Sequence, residues 1–498
     1  MPLYLWSGRG RWFFGDEWTY LTSVDGGDLD GLLTPDNEHW TTLPRISYRV
    51  LFNLFGINTY VPYQLVTIAM HLIAASLLRV VMRRSGVSPW MATVVAGVFV
   101  LLGSGDHNIL RAFQVTFGAA LAFGLTQLVL ADHDGPIDRR DVLGLLAGLA
   151  ALMCSGIGIA MVAAVAVAML IGRGWRAALF HLAPLAAVYA VWWWRFASER
   201  NTSNDAGLGD VGSFAFASVS ATFDALGQLP SVGLLIAGLL VVGLVLAWSP
   251  FTPEVRRRNA APSGLLFGAF VFIGSTAWSR ADLGTDFASQ SRYVHIIAAL
   301  VLPALAVGAD MVARRWPLIA PALVALLLIG VPGNLSTTWN QTGLGRGDRV
   351  DRALFLAFAS VPEAGAAPDW VRPDPQSART LTMGWLRKGV ARGQVPRPSD
   401  IDPALAEEAT FRIALQPVRR PTSHASCGRI TEPIERYLEP GELIGFLGSV
   451  LVRKTDPEFS RRIDVPLVGQ RGSALLAVGE PLDITIVPRE PTTRLCEP

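Results

Sequence analysis

Ten stretches of this chain are apolar for long enough to be read as helices crossing a hydrocarbon layer of about 30 Å, and this restricts the fold more than any other feature. They lie near residues 61–82, 88–104, 112–131, 141–155, 157–171, 177–195, 230–248, 263–279, 294–312 and 316–332. Lipid offers no partner for backbone N–H and C=O groups, so segments of this kind are helices. Of the 498 residues 51% are hydrophobic and 16% charged, which excludes an ordinary soluble domain of this length. The formal net charge of +2 is nearly balanced and gives no reason to expect a nucleic-acid partner.

Arginine placement sets the topology, because cytoplasmic loops collect Arg and Lys. The clusters are Arg83–Arg84, Arg139–Arg140, Arg173 with Arg176, Arg256 to Arg258, and Arg314–Arg315. They fall on one side only if 141–171 holds two short crossings, broken at "CSGIG", where Ser155, Gly156 and Gly158 weaken a helix interior. Ten crossings then leave residues 1–60, the "GSGDHN" loop, the loop 196–229, the "SRADLGTDFASQSRYVH" loop and the tail from Gly333 on the outer side. No signal or leading membrane helix precedes Asp16 to carry the N-terminus outward, so a missing leading helix is expected, with reversed insertion of the first span as the alternative.

The expected fold class is an α-helical polytopic membrane protein of about ten spans, with a C-terminal extracytoplasmic α/β tail ending in a small β-rich domain. Its parts are an outer acidic loop with an interfacial helix (1–60), a membrane helical domain (61–332), a mixed extracytoplasmic region (333–409) and the β-rich domain (410–498). Strand-like alternation in "ELIGFLGSVLVRKT", "RRIDVPLV" and "SALLAVGEPLDITIVP" supports the last of these. Cys427 and Cys496 both lie there and are free to pair if the region faces an oxidising compartment, whereas Cys154 sits in an apolar run.

Four polar groups fall on the expected outer face. "FFGDEWTYL" carries Asp16 and Glu17, of which one would face a site, since neighbours on an extended loop point opposite ways. Such a carboxylate suits a general base toward a hydroxyl; the alternative is a solvated acidic loop. Trp12, Phe13, Phe14, Trp18 and Tyr20 favour the former if they form an interfacial belt holding the acids near the headgroups. "DNEHW" adds Glu38 and His39 ahead of an amphipathic segment with Ile46, Val50, Leu51 and Leu54 on one face, which would lie in the interface rather than cross it. His39 is suited to a sugar hydroxyl, a phosphate or a divalent ion. "GDHNILRAFQVTFG" supplies His107, Asn108, Arg111 and Gln114; capping by Asp106 or Asn108 accounts for one residue, not for Arg111 and Gln114 on one helical face. "SQSRYVHII" places Arg292 and Tyr293 at an outer helix end, where a guanidinium either binds phosphate or snorkels. Trp192 to Trp194 with Arg195 read as a belt, and His71 and His181, inside spans, as packing residues.

An acidic first outer loop with "GDEW", then "NEHW" and "LFNLFG", a polar second outer loop, an outer Arg-Tyr and a soluble tail together resemble the polytopic GT-C glycosyltransferases, the class of the protein mannosyltransferases and aminoarabinose transferases, and in particular its bacterial branch. The resemblance covers about residues 10–332. It implies a multi-pass enzyme of the bacterial plasma membrane that takes a sugar from a polyprenyl phosphate in the lipid bilayer and passes it to an envelope glycan, lipid or protein. It implies Asp16 as catalytic base with Glu17 as alternative, and Arg292, with Arg111 in reserve, on the donor phosphate. Glu38, His39, His107, Asn108, Gln114 and Tyr293 would bind substrate. The resemblance fixes no cofactor; a divalent ion (Mg, Mn or Ca) bridging carboxylate and phosphate is admissible, with Asp16 and His39 as candidate ligands. A transporter or flippase of envelope precursors is the alternative from another class, although its polar groups would gather at the midplane rather than at one face. A membrane scaffold whose tail binds cell-surface polymer, with the loop acids merely solvated, is the third reading.

Overall fold

A 25-residue helix, Ser291–Arg315, forms the axis of the larger of two compact units; 94% of its most apolar stretch is buried inside the protein. A computed structural model describes residues 1–23, 29–197, 206–229, 231–341, 345–419, 427–454, 464–469 and 473–496. The first unit comprises Met1–Arg9, Gly26–Ser47 and Val61–Leu344, and the second Gly10–Asp25, Tyr48–Tyr60 and Gly345–Pro498. Residues 1–60 are therefore shared between the two.

In chain order, helices up to the first membrane segment are α1 (Pro2–Ser7), α2 (Glu17–Thr22), α3 (Leu29–Leu33) and α4 (Thr42–Phe55). The first unit continues with α5 (Val61–Arg84), α6 (Pro89–Val100), α7 (Asp106–Leu110), α8 (Val115–Ala131), α9 (Arg139–Leu152), α10 (Ile157–Gly172) and α11 (Trp175–Trp192). After these come α12 (Leu208–Gly227), α13 (Val232–Ala247), α14 (Pro253–Arg258), α15 (Ala260–Arg280), α16 (Thr285–Ala288), α17 (Ser291–Arg315), α18 (Ala320–Leu328) and α19 (Val331–Asn340). Six helical segments among the described residues are long and apolar enough to cross a membrane, or eight if two bent pairs each count as one span. By length and composition these helices fit a multi-pass membrane protein.

The break expected inside 141–171 is present, between Leu152 and Ile157, and gives helices of 14 and 16 residues. At about 1.5 Å per residue each spans some 21–24 Å, shorter than an average hydrocarbon core. The loop expected at 196–229 instead contains the 20-residue α12, bent 104° against α13. Its Ser, Gly and Asp residues interrupt the apolar run that marks a helix in lipid, which is why the pattern was not legible.

Small residues set how closely these helices approach. A Cβ on Gly264 of α15 would strike the Ala164 carbonyl of α10, and one on Gly268 would come within 2.8 Å of the Ala164 methyl. Gly243 of α13 and Gly308 of α17 touch backbone to backbone, so neither position has room for a side chain. This is the small-residue packing by which membrane helices gain dispersion contact without a hydrophobic driving force.

Helix ends of the first unit gather at two faces. At one, Arg258 donates to the Ser85 and Gly86 carbonyls at 2.6 Å, Arg314 to Gly86 at 2.8 Å, and Arg84 to Asp132 at 3.1 Å. Arg173 reaches Asp141 at 2.5 Å and the Ala131 carbonyl at 2.7 Å on the same face. At the other face, the Leu43 N–H meets the Met153 carbonyl at 3.2 Å, Gln228 meets Ser104 at 2.9 Å and Asn334 donates to Ala225 at 2.8 Å.

In the second unit, α20 (Gly345–Phe358), α21 (Glu363–Ala366), α22 (Met383–Ala391) and α23 (Pro403–Ala414) precede a sheet. Its strands are β1 (Leu415–Arg419), β2 (Cys427–Arg429), β3 (Ile434–Leu438), β4 (Leu443–Lys454), β5 (Asp464–Gly469), β6 (Ser473–Ala477), β7 (Leu482–Pro488) and β8 (Arg494–Cys496). All pairings are antiparallel, with a path β1-β6-β4-β7-β3. The 12-residue β4 is shared: Leu443–Leu447 pairs with β6 and β8, and Gly448–Lys454 with β5 and β7. Gly448, at φ +88°, supplies the left-handed residue at which the strand changes partners. Ile444, Phe446, Val450 and Val452 point from β4 into a core shared with Phe411, Leu475, Ile484 and Ile486. Cys427 and Cys496, register partners on β2 and β8, form a disulfide closing a loop of 69 residues in sequence.

Candidate functional site

Asp16 and Glu17 separate as their adjacency requires. Asp16, at the N-cap of α2, is exposed; Glu17 is 1% exposed. The Glu17 carboxylate accepts hydrogen bonds from the hydroxyls of Tyr48 at 2.6 Å and Tyr60 at 3.1 Å, and from the Phe14 N–H at 3.0 Å. Burial, and then the Glu17 charge beside it, push the Tyr48 phenol well above its usual pKa. Glu17 is thereby committed to holding α2 against the Tyr48–Tyr60 segment, and the accessible acid is Asp16.

The aromatic belt expected around these acids is instead core. Trp12, Phe13, Trp18 and Tyr20 are all buried, and only Phe14 of the five is exposed. Trp18 stacks on Phe355 with 4.7 Å between ring centroids, and Arg11 pairs with Asp348 at 3.6 Å. Apolar exposure appears on α4: Ile46, Val50 and Leu54 follow one another at every fourth residue and all face outward, Leu54 at 68% exposed. Leu51 is only half-buried, while Arg45 turns inward to the Gly31 carbonyl at 2.5 Å.

In the first unit a polar cluster forms around the start of α17 and the end of α15. Asp36 and His39 close a tight turn by reciprocal backbone bonds of 3.0 and 2.9 Å, with Asn37 at φ +52°. Asn accepts this left-handed conformation with little strain, and the turn sets Glu38 and His39 on one side. Glu38 meets the Arg280 guanidinium at 3.4 Å, and Arg280 in turn reaches the Tyr293 hydroxyl at 3.4 Å. His39 packs at Gly156 in the break between α9 and α10. Its pKa is lowered to about 4, first by burial and then by the charges of Arg280 and Arg292, so the imidazole is neutral near pH 7.

Arg292 lies in the first turn of α17, over the rings of Phe287 and Tyr293 at 5.2 and 5.0 Å. Its buried Nε has no hydrogen-bond partner among the described residues. A cation at a helix N-terminus adds to the positive end of the dipole instead of offsetting it, so the position favours an anion. The "GDHN" loop fixes this turn. Ser291 donates to Asp106 at 2.5 Å, the His107 N–H donates to Ser291 at 3.1 Å, and Asn108 donates to the Arg292 carbonyl at 2.8 Å. Asn108 also lies 3.3 Å from His295, whose other ring nitrogen is 3.0 Å from His71. His71 is thus a helix-contact residue, as expected of a histidine inside a span.

Glu38, His39, Arg292 and Tyr293 are therefore brought together, with His107 and Asn108 bracing them from behind. Arg111 and Gln114 do not share a helical face: the helix stops at Leu110, and Arg111 is extended at φ −93°, ψ 120°. Gln114 is buried, with its side-chain oxygen unpartnered among the described residues. Of the expected tryptophan belt, Trp193 and Trp194 are exposed, while Trp192 is buried against Trp40 at 5.1 Å. Arg280 was missed by the sequence reading, since a single Arg ending a span looks like any membrane flank.

The surroundings of His39 do not suit a divalent ion, because two guanidiniums already press on it and would repel a second cation. Among the described residues, the His and carboxylate group close enough to hold a metal is His133, Asp138 and Asp141, at the opposite, arginine-rich face. There Asp141 already accepts from Arg173 at 2.5 Å and lies 3.0 Å from both His133 and His181, which makes it an ion-pair hub. No protein-family model, no curated protein and no solved structure matches this chain.

Proposed function

We propose that the chain is a membrane glycosyltransferase of the GT-C kind, moving a sugar from a polyprenyl-phosphate donor to an envelope glycan, lipid or protein at the outer face of a bacterial plasma membrane. The observation that carries this reading is the anion-seeking cluster at the start of α17: Arg292 with an unspent buried donor, Arg280 beside it, and neutral His39 and Glu38 in front. A lipid phosphate needs such a rigid cationic fork at membrane level. Glu38 offsets the charge of Arg280, with which it pairs, and leaves the buried donor of Arg292 to the phosphate.

In the proposed reaction a carboxylate, for which the resemblance names Asp16, takes the proton of an acceptor hydroxyl as its oxygen attacks the anomeric carbon. The bond from that carbon to the phosphate oxygen breaks, and polyprenyl phosphate leaves with its charge held by Arg292 and Arg280. One displacement gives inversion at the sugar. Ten crossings accompany this reading: α5, α6, α8, α9, α10, α11, α13, α15, α17 and the α18–α19 segment. Alternation of their ends between the two faces supports the count, and the short α9 and α10 then cross where the bilayer is locally thin. Arginines at one face favour that face as cytoplasmic, and the Cys427–Cys496 disulfide favours an oxidising compartment for the tail.

Binding of polyprenyl phosphate alone to the purified protein in detergent tests the phosphate site. Replacing Arg292 or Arg280 with Ala is expected to weaken it by roughly tenfold or more each. Unchanged binding in both variants would remove the basis of the proposal.

A further inference from the structure

The second unit holds a cleft of about 890 Å³ beside β1, with an unusual charge balance. Among the described residues Arg372, Arg379 and Arg419 line it, and neither Asp nor Glu does. Among the described residues the guanidiniums of Arg372 and Arg379 make no ion pair or hydrogen bond, and both side chains are exposed. The acid nearest them in sequence, Asp374, is buried and faces Arg412 at 3.5 Å, so it does not neutralise the cleft. The floor is apolar, made by Phe446 and Leu467, and Trp370 stands on the wall with 51% of its surface exposed.

Each part of this arrangement has a chemical counterpart. Uncompensated guanidiniums select carboxylate or phosphate groups in a planar, two-pronged geometry. An exposed indole on the wall offers a flat apolar face, which fits the C–H face of a sugar ring. An acidic peptide added as a strand is the other polymer to weigh. The available edge is β1, and Pro417 at its centre lacks an N–H to donate to an incoming strand.

We infer that this cleft binds an anionic polysaccharide, with a sugar ring on Trp370 and the carboxylate or phosphate groups of successive units on Arg372 and Arg379. The inference concerns binding alone and stands whether or not the chain transfers sugars. It makes the second unit a device for holding the protein on a negatively charged polymer.

Titration calorimetry of the full chain in detergent tests it, using a galacturonate hexasaccharide, maltohexaose and a hexaglutamate peptide as probes. The galacturonate is expected to bind with an affinity that falls as salt rises. Trp370→Ala, and the pair Arg372→Gln with Arg379→Gln, should each weaken it about tenfold or more. All three side chains are exposed, so unchanged melting of the variants will confirm that the unit is folded; Arg379→Glu alone, predicted to abolish binding, is the check if the pair melts early. Equal binding of maltohexaose, equal binding of the peptide, no binding of galacturonate, or unaltered binding in the folded variants would each overturn the inference.

Discussion

Asp16 and Glu17 show how one residue step divides an exposed carboxylate from a buried, structural one. Replacing Glu17 with Gln removes the charge that accepts from Tyr48, Tyr60 and the Phe14 N–H, and is expected to cost about 1.5–3 kcal/mol of stability, read as a lowered melting temperature. Asp16→Asn, at an exposed position, should leave melting unchanged. Equal destabilisation by both would contradict the division. His39 supplies a pH signature. Its folded pKa of about 4 lies below the usual 6.5, so the unfolded chain takes up the proton more readily, and stability is lost as pH falls from 6.5 toward 4. The wild-type melting temperature should drop over that window more than that of His39→Asn; parallel curves would show that His39 is not held neutral. At this scale the sequence exposes residue type but not direction. "GDEW" announced two acids, and only the buried tyrosines decide which is free.

Periodicity made most helices and strands legible before any coordinates. The apolar runs, the "CSGIG" break and the strands of "ELIGFLGSVLVRKT" and "SALLAVGEPLDITIVP" all appear close to where the pattern put them. Two elements were not legible, for different reasons. Helix α12 mixes polar and small residues with apolar ones, so no window stands out. The segment "DHNILRAFQ" reads as one helix, yet it breaks at Arg111, where side chains of α5 take up the flanking carbonyls: Gln64 donates to Leu110 and Thr67 to Ala112. Such long-range contacts leave no local trace. Packing of the legible helices yields its own prediction. Gly243→Leu forces a side chain between α13 and α17, where backbones touch, and should sharply reduce the yield of folded protein, whereas Gly238→Leu, with open space around its Cα, should not. Equal yields would show that the close approach is not what holds α13 in place.

On the scale of the whole molecule, the arginine clusters carried the most information. Arg84, Arg173, Arg258 and Arg314 come from distant parts of the sequence and meet at one face of the first unit, which is what the charge pattern alone suggested. Single cysteines introduced in a Cys154→Ala background test the ten-crossing topology in intact cells. His107→Cys and Ser279→Cys should react with a membrane-impermeant thiol reagent and Arg140→Cys should not; the reverse pattern, or labelling of all three, would contradict it. The polar cluster was less legible than this gathering of arginines, since the pairing of Glu38 with Arg280 joins residues 242 positions apart. Sugar transfer is the central claim, and its most direct measurement is release of polyprenyl phosphate from a panel of polyprenyl-phosphate sugars by the purified protein, run beside Asp16→Asn and Arg292→Ala. The account predicts turnover by the wild type on at least one donor, with inversion at the anomeric carbon and a loss of roughly a hundredfold or more in each variant. No turnover on any donor, or turnover untouched by both substitutions, would contradict it.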